Sequence, residues 1–178
     1  MANIKKKFFE VEVPLLGETS SVYAVELENL QGRHLKLDLT RIFRGKGVEA
    51  SFDINVVDGK AVAKPKMMRL LPYFIRRMIR KRSSYVEDSF VVDVSDGKLR
   101  IKPFLITRKE VSRAVRNALR VATIEFLKDY CKDKSTEDVF SDVIQSKIQK
   151  LMLTRLKKVY PLALCEIRHL EVEKVKEE

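Results

Sequence analysis

Between Lys98 and Arg120 the sequence KLRIKPFLITRKEVSRAVRNALR changes its period, and each period gathers cations on one side of an element. Lys98, Arg100 and Lys102 alternate with Leu99, Ile101 and Pro103, which is strand spacing with an apolar face opposite a cationic one. Lys109, Arg113, Arg116 and Arg120 then recur at steps of four, three and four, which is helical spacing. Val111, Val115, Ala118, Leu119, Ala122 and Phe126 share that second period and are expected to face a core. A chain carrying this switch needs both a sheet and a helix, each burying one side, so its class is α+β.

A row of like charges on a helix repels itself, and a polyanion relieves that repulsion. The bland alternative is a solvated helix face, but a basic strand leading into a basic helix favours nucleic acid. Net charge points the same way: 36 Lys plus Arg against 25 Asp plus Glu give +11 over 178 residues. That length suggests one domain over residues 1–178, with 45% hydrophobic residues enough for a core. Lys5, Lys6 and Lys7 look like the charged start of a signal peptide, yet Glu10 and Glu12 interrupt its apolar part. No apolar run approaches the ~20 residues that span a bilayer, so a soluble, cytoplasmic protein without a membrane partner is expected. Cys131 and Cys165, distant and without CxxC spacing, read as buried thiols.

From the N-terminus, a lysine arm (Lys5, Lys6, Lys7) precedes an edge strand Phe8–Val13, a turn near Gly17 and a short strand through Val22 and Tyr23. Leu35, Leu37 and Leu39 alternate with Lys36, Asp38 and Thr40 in the clearest strand of this half. Arg44 to Gly47 form a cationic loop, VEASFDINVV and a short KAVAK are further strands, and Asp58-Gly59 turns between them. About residues 1–64 are therefore a run of antiparallel strands. Met67 to Arg82 read as helix, with Met67, Leu71, Phe74, Ile75 and Met78 on one side, Arg69, Tyr73, Arg76 and Arg80 on another, and Arg80–Arg82 closing it. Pro72 either starts the regular helix at its first position or kinks it.

A long hairpin turning at Ser95–Gly97 leads into the basic helix, which runs to about Lys132. Ser135 with Asp138 resembles a capping box, and Val139, Val143, Ile144, Ile148, Leu151, Met152 and Leu156 carry an apolar face to the stop at Tyr160-Pro161. LALCEIRHLEVEKV is a final strand, with Cys165, Ile167 and His169 alternating against Glu166, Arg168 and Leu170, before a loose acidic end at Glu177 and Glu178.

Catalytic constellations are missing from this reading. His34 and His169 lie in separate strands without metal-ligand spacing, Gly45 to Gly47 lack a GK[ST] continuation, and no GxSxG occurs. No enzyme, cofactor, metal or small-molecule substrate is expected. Aromatic residues are 8% with no Trp, so base-stacking platforms are scarce, whereas the planar fork of Arg suits phosphate. The expected RNA-contacting residues are Arg69, Arg76, Arg77, Arg80, Lys81 and Arg82, then Lys98, Arg100 and Lys102, then Arg108, Lys109, Arg113, Arg116 and Arg120. The arm Lys5–Lys7 and the loop cations Arg44 and Lys46 could add to them. A free-standing nucleic-acid chaperone or translation factor would carry the same basic surfaces.

Several stretches resemble the archaeal and eukaryotic small-subunit ribosomal protein family called eS-one, or S-three-A-e. Leu30-Gln31-Gly32-Arg33 through Leu39 is similar to its LxGRxxExxLxDL signature, with Lys36 at the usual Glu and Arg41 at the later Asp. Lys6-Lys7-Phe8-Phe9 with Val11 and Pro14 resembles KKWYxVxAP, Phe8 replacing Trp, and Leu16-Gly17-Glu18-Thr19 resembles the following IGET. Arg80 to Ser84, Val86 to Asp88, Val92 to Val94 and Asp96-Gly97 are similar to RRRTSRIDDIVDV…DG. Thr107 and Arg108 with the basic helix, and Tyr160-Pro161-Leu162 with Ile167-Arg168, match its later segments in order. The long C-terminal extension of eukaryotic members is missing, which resembles an archaeal-type protein. The resemblance implies a barrel-like antiparallel β core carrying basic amphipathic helices in the middle and near the C-terminus. It also implies a structural protein of the small ribosomal subunit on the platform, near the rRNA 3′ end and the mRNA exit side. Its partners would be rRNA and neighbouring ribosomal proteins, with mRNA nearby.

Overall fold

The computed structural model describes residues 6–175, so Lys5 of the arm and the acidic end at Glu177 and Glu178 lie outside the described residues. Among the described residues nine strands form a mostly antiparallel sheet, accompanied by four α-helices, and the mixed α+β class is that read from the sequence. The pairing order is branched and the sheet does not close among the described residues, so the expected barrel-like core is not borne out. The chain divides into two compact units, residues 1–37 with 50–66, and residues 38–49 with 67–178.

In the smaller unit β1 (Lys7–Val13) pairs antiparallel with β2 (Glu18–Ala24) along its whole length, across a turn in which Gly17 takes φ +67°. β3 (His34–Asp38) and β4 (Val48–Val57) follow, and β5 (Lys60–Leu70) returns through a tight Asp58-Gly59 turn whose two residues both have positive φ. β1 also pairs in parallel with β5 at Val11 and Glu12, so β1 is an inner strand and β2 is the edge. Pro14 does not forbid this, because it follows the strand. Val11, Val13, Ala24, Leu30, Ala50, Phe52, Ile54, Ala61 and Ala63 are the buried apolar residues of this unit among those described.

The larger unit corrects the expected helix from Met67. β5 runs on to Leu70, so Met67 and Arg69 are strand residues, and α1 spans only Pro72–Met78. Cross-strand pairing with β9 (Leu162–Val175) at Met67, Met68 and Arg69 outweighs a helical preference that is weak residue by residue. Leu71 precedes a proline and is extended at ψ 142°, which leaves Pro72 at the first helical position. Arg80, Lys81 and Arg82 do not close the helix; they form a turn beyond it, held by Ser83 Oγ donating to the Arg80 carbonyl at 2.6 Å.

Two short strands, β6 (Tyr85–Glu87) and β7 (Phe90–Val94), share one side of β8 (Gly97–Thr107), whose other side takes β9 throughout. β9 has the bounds read from the sequence, but its alternation slips. Lys102 pairs with His169 and Pro103 with Ile167, so Arg168 is an extra, bulged residue. The bulge shifts parity, which brings Leu170 into the core at 0% exposure, on the same side as Cys165 and Ile167.

α2 covers Arg113–Cys131 and packs on β6 and β7; α3 (Thr136–Ile144) and α4 (Lys147–Leu156) complete the layer, α4 lying on β9. Ser112 Oγ accepts from Val115 N–H as the N-cap, so Lys109 and Val111 precede α2. Its buried line is Leu119, Thr123, Leu127 and Cys131, while Ala118 is exposed and Ala122 half-buried. The buried stripe is thus rotated relative to the expected one. The Ser135–Asp138 capping box is present, with Asp96 from the β7–β8 turn also accepting from Thr136 N–H. One continuous C-terminal helix is not formed: Ser146 at φ +58° separates α3 from α4, and Leu151 is exposed.

Candidate nucleic-acid interface

Of the expected cations, the structure brings Arg113, Arg116 and Arg120 together along one groove of the larger unit, whereas Arg69 lies on β5 and Lys98, Arg100 and Lys102 lie on β8. Arg113, Arg116 and Arg120 stand on the first two turns of α2, which bury little of themselves. With Ala114, Asn117 and Glu110 they form one wall of a groove of about 980 Å³. Ser83 to Glu87 form the opposite wall, immediately after the Arg80–Arg82 turn, so the groove runs on from a cluster of three exposed cations.

The two walls are tied together by Thr107, which is fully buried. Its Oγ1 accepts Ser84 N–H at 3.0 Å and lies 2.6 Å from the Lys109 carbonyl. Thr107 N–H donates to the Ser84 carbonyl at 2.9 Å, and Ser84 Oγ accepts from Val111 N–H at 3.2 Å. Residues 108–111 therefore form a strap, hydrogen-bonded to Thr107 and Ser84, between β8 and the start of α2. Arg108, Lys109 and Glu110 are exposed on the strap.

Electrostatic pairing sorts the expected cations into two groups. Arg69 sends Nε and an Nη to one Glu49 oxygen, at 2.9 and 2.7 Å. Arg100 Nε donates to Glu173 at 2.5 Å, Lys98 lies 3.5 Å from Asp93, and Arg120 lies 3.4 Å from Asp88. Lys46, from the loop, donates to the buried Glu166 at 2.5 Å, and burial holds that carboxyl above its ordinary range despite the lysine. The remaining cations of the set, Arg76, Arg77, Arg80, Lys81, Arg82, Lys102, Arg108, Lys109, Arg113, Arg116 and Arg44, have no carboxylate partner among the described residues. Arg77 lies over the Phe74 ring at 5.4 Å, which keeps its guanidinium at the surface.

Sequence reading missed several contributors. Tyr85, half-exposed, and Asn117 line the groove; Tyr85 could have been found from its alternation with buried Val86. In the smaller unit the exposed Phe8 and Tyr23 rings sit 4.9 Å apart across β1 and β2, with Lys6 over Tyr23 at 5.8 Å and Lys7 exposed in β1. Cys131 and Cys165 are buried free thiols, which burial pushes up to about 12. Among the described residues no cluster of His, Cys, Asp or Glu could hold a metal, and no helix is long and apolar enough to cross a membrane.

Comparison with known proteins gives a consistent result. The sequence model of the Ribosomal S3Ae family matches residues 3–176. The chain is 28% identical over 171 residues to the small ribosomal subunit protein eS1 of Methanothermobacter thermautotrophicus, covering 92% of this chain and 88% of the relative. It is 28% identical over 172 residues to that of Nanoarchaeum equitans, covering 93% and 83%. With that of Haloarcula marismortui the identity is 24% over 185 residues, covering 98% and 85%.

Proposed function

Because the chain belongs to the Ribosomal S3Ae family, we propose that it is a structural constituent of the small ribosomal subunit, holding rRNA by its phosphate backbone. The observation that carries this reading is the separation of cations by pairing. Arg113 and Arg116 on α2, and Arg80, Lys81 and Arg82 on the facing turn, keep exposed charges that no carboxylate of the described residues neutralises. Such charges strengthen binding to phosphodiester by releasing condensed counterions. The strap ties the arginine wall on α2 to the Ser83–Glu87 wall that follows the Arg80–Arg82 turn, an arrangement that suits recognition of backbone shape rather than base sequence.

In this reading the protein is not an enzyme and works in the cytoplasm within the ribosome. It lies on the platform, near the rRNA 3′ end and the mRNA exit side, against neighbouring ribosomal proteins. Curated relatives named as small ribosomal subunit proteins along most of the chain support the assembly. The testing experiment is a sucrose gradient of a native extract run in moderately high salt. About one copy per small subunit, retained through the salt, is the expected result. A protein that washes off into the light fractions is a free-standing factor or chaperone, and the proposal is then lost.

A further inference from the structure

A second groove of the larger unit, about 560 Å³, lies between Ile42–Lys46, α4 with the turn before it, and the start of β9. Five consecutive β9 residues, Leu162 to Glu166, border it. Successive side chains of a strand point to opposite faces, so a groove that meets five in a row meets the strand's backbone edge. The pairing agrees. β8 takes one side of β9 along its length, whereas β5 takes the other side only at His169, Leu170 and Glu171. Among the described residues no strand lies beside Leu162–Glu166 on that side. An open edge of this kind is a template for another strand.

Gln149 supplies an independent sign. Its side chain is 95% buried, its Nε2 donates to the Val143 carbonyl at 3.0 Å, and its Oε1 accepts no hydrogen bond among the described residues. A buried acceptor left unpaired is costly, and Gln149 belongs to the lining of this groove. Ile42, Phe43, Leu153, Leu162 and Leu164 make the walls apolar. The lining's one acid, Glu166, is paired with Lys46, so Arg44 and Lys150 leave the groove positive.

We infer that this groove docks an extended segment of another protein, which adds as a strand beside Leu162–Glu166. Its apolar side chains face Ile42, Phe43 and Leu153, and flanking Asp or Glu residues meet Arg44 and Lys150. Main-chain bonds to the open edge hold such a segment, and the apolar walls and basic rim select it. The aliphatic walls, with Phe43 buried, offer no platform for a base, which separates this surface from the arginine-lined groove. The inference stands apart from the ribosomal assignment, since it uses only this edge and its lining.

The test places a photoreactive benzoylphenylalanine at Ala163, whose side chain is exposed beside the groove, in the full chain. The same group at Glu137, exposed on α3, is the control. Cells are irradiated and the adducts are mapped by mass spectrometry. The expected adduct is specific to position 163 and falls on another protein, in a segment of alternating apolar residues flanked by acids. Its yield should drop roughly tenfold when Arg44→Glu and Lys150→Glu reverse the exposed rim charges, with the circular dichroism unchanged. Amide exchange at alternate residues of Leu162–Glu166 should also slow in the purified complex. An adduct on RNA, on a second copy of this chain or on a basic segment overturns the inference. So does a yield no higher than the control, indifferent to the charge reversal, or unchanged exchange.

Discussion

Replacing Arg113 and Arg116 together by Gln removes two guanidinium groups from the groove wall without unpairing any carboxylate, since neither makes an ion pair among the described residues. If each touches one phosphate, the slope of log K against log salt becomes shallower by about 1.8 on duplex RNA, taking about 0.9 per contact, and by about 1.4 on single strands. At ~0.1 M salt the duplex figure corresponds to roughly 60-fold weaker binding, provided the non-electrostatic part is unchanged. Arg69→Gln with Arg100→Gln is the matched comparison. Those two residues are engaged with Glu49 and Glu173 at side-chain exposures of 48% and 38%. Surface pairs of that kind contribute about 0.2–1 kcal/mol each, so this variant should lose a little stability and keep the salt slope. Fluorescence anisotropy with a labelled fragment of small-subunit rRNA, from low to moderate salt, measures both slopes. Equal slope changes in the two variants would refute the reasoning that carboxylate pairing decides which cations serve the phosphates. An unchanged slope for Arg113→Gln with Arg116→Gln would refute the groove itself.

Thr107→Val keeps the shape of a fully buried side chain but leaves Ser84 N–H and the Lys109 carbonyl without their hydroxyl partner. About 2–3 kcal/mol of lost stability is expected, a melting-point fall of roughly 4–12 °C by calorimetry. Looser walls should weaken RNA binding more than Thr107→Ser does, because serine restores the hydroxyl. Asp142 accepts from Tyr130 and Lys134; burial alone would raise its carboxyl, but those partners hold it below the ordinary 3.8. Its contribution is full above that unfolded value and is lost as pH falls through the lower folded one, so acid-unfolding curves of Asp142→Asn should be flatter below about pH 4 and displaced at neutral pH. Cys131 and Cys165, pushed up to about 12 by burial, should resist iodoacetamide at pH 8 in the native protein and react in denaturant, as mass spectrometry will show.

The sequence was most informative where a rule acts between neighbours. Alternation located β8 and the bounds of β9, Asp58-Gly59 and Gly17 marked turns, Ser135 with Asp138 marked the start of α3, and Pro72 at the first helical position was one of the two readings open for α1. Each depends on contacts within a few residues, which the chain itself specifies. The fold class and the cationic character of α2 followed from those rules alone.

Tertiary structure decided whatever depended on residues far apart in the chain. Met67 to Leu70 became strand because β9, a hundred residues on, offered a ladder to pair with. The parity of β9 reversed at Arg168 because β8 fits it with one residue to spare. Among the cations, Arg69, Arg100 and Lys46 met carboxylates 20, 73 and 120 positions away, while Arg113 and Arg116 met none among the described residues. Periodicity tells which side of an element a charge occupies. Only the folded chain brings an opposite charge within a few ångströms, the range at which Coulomb attraction can hold a guanidinium to a carboxylate.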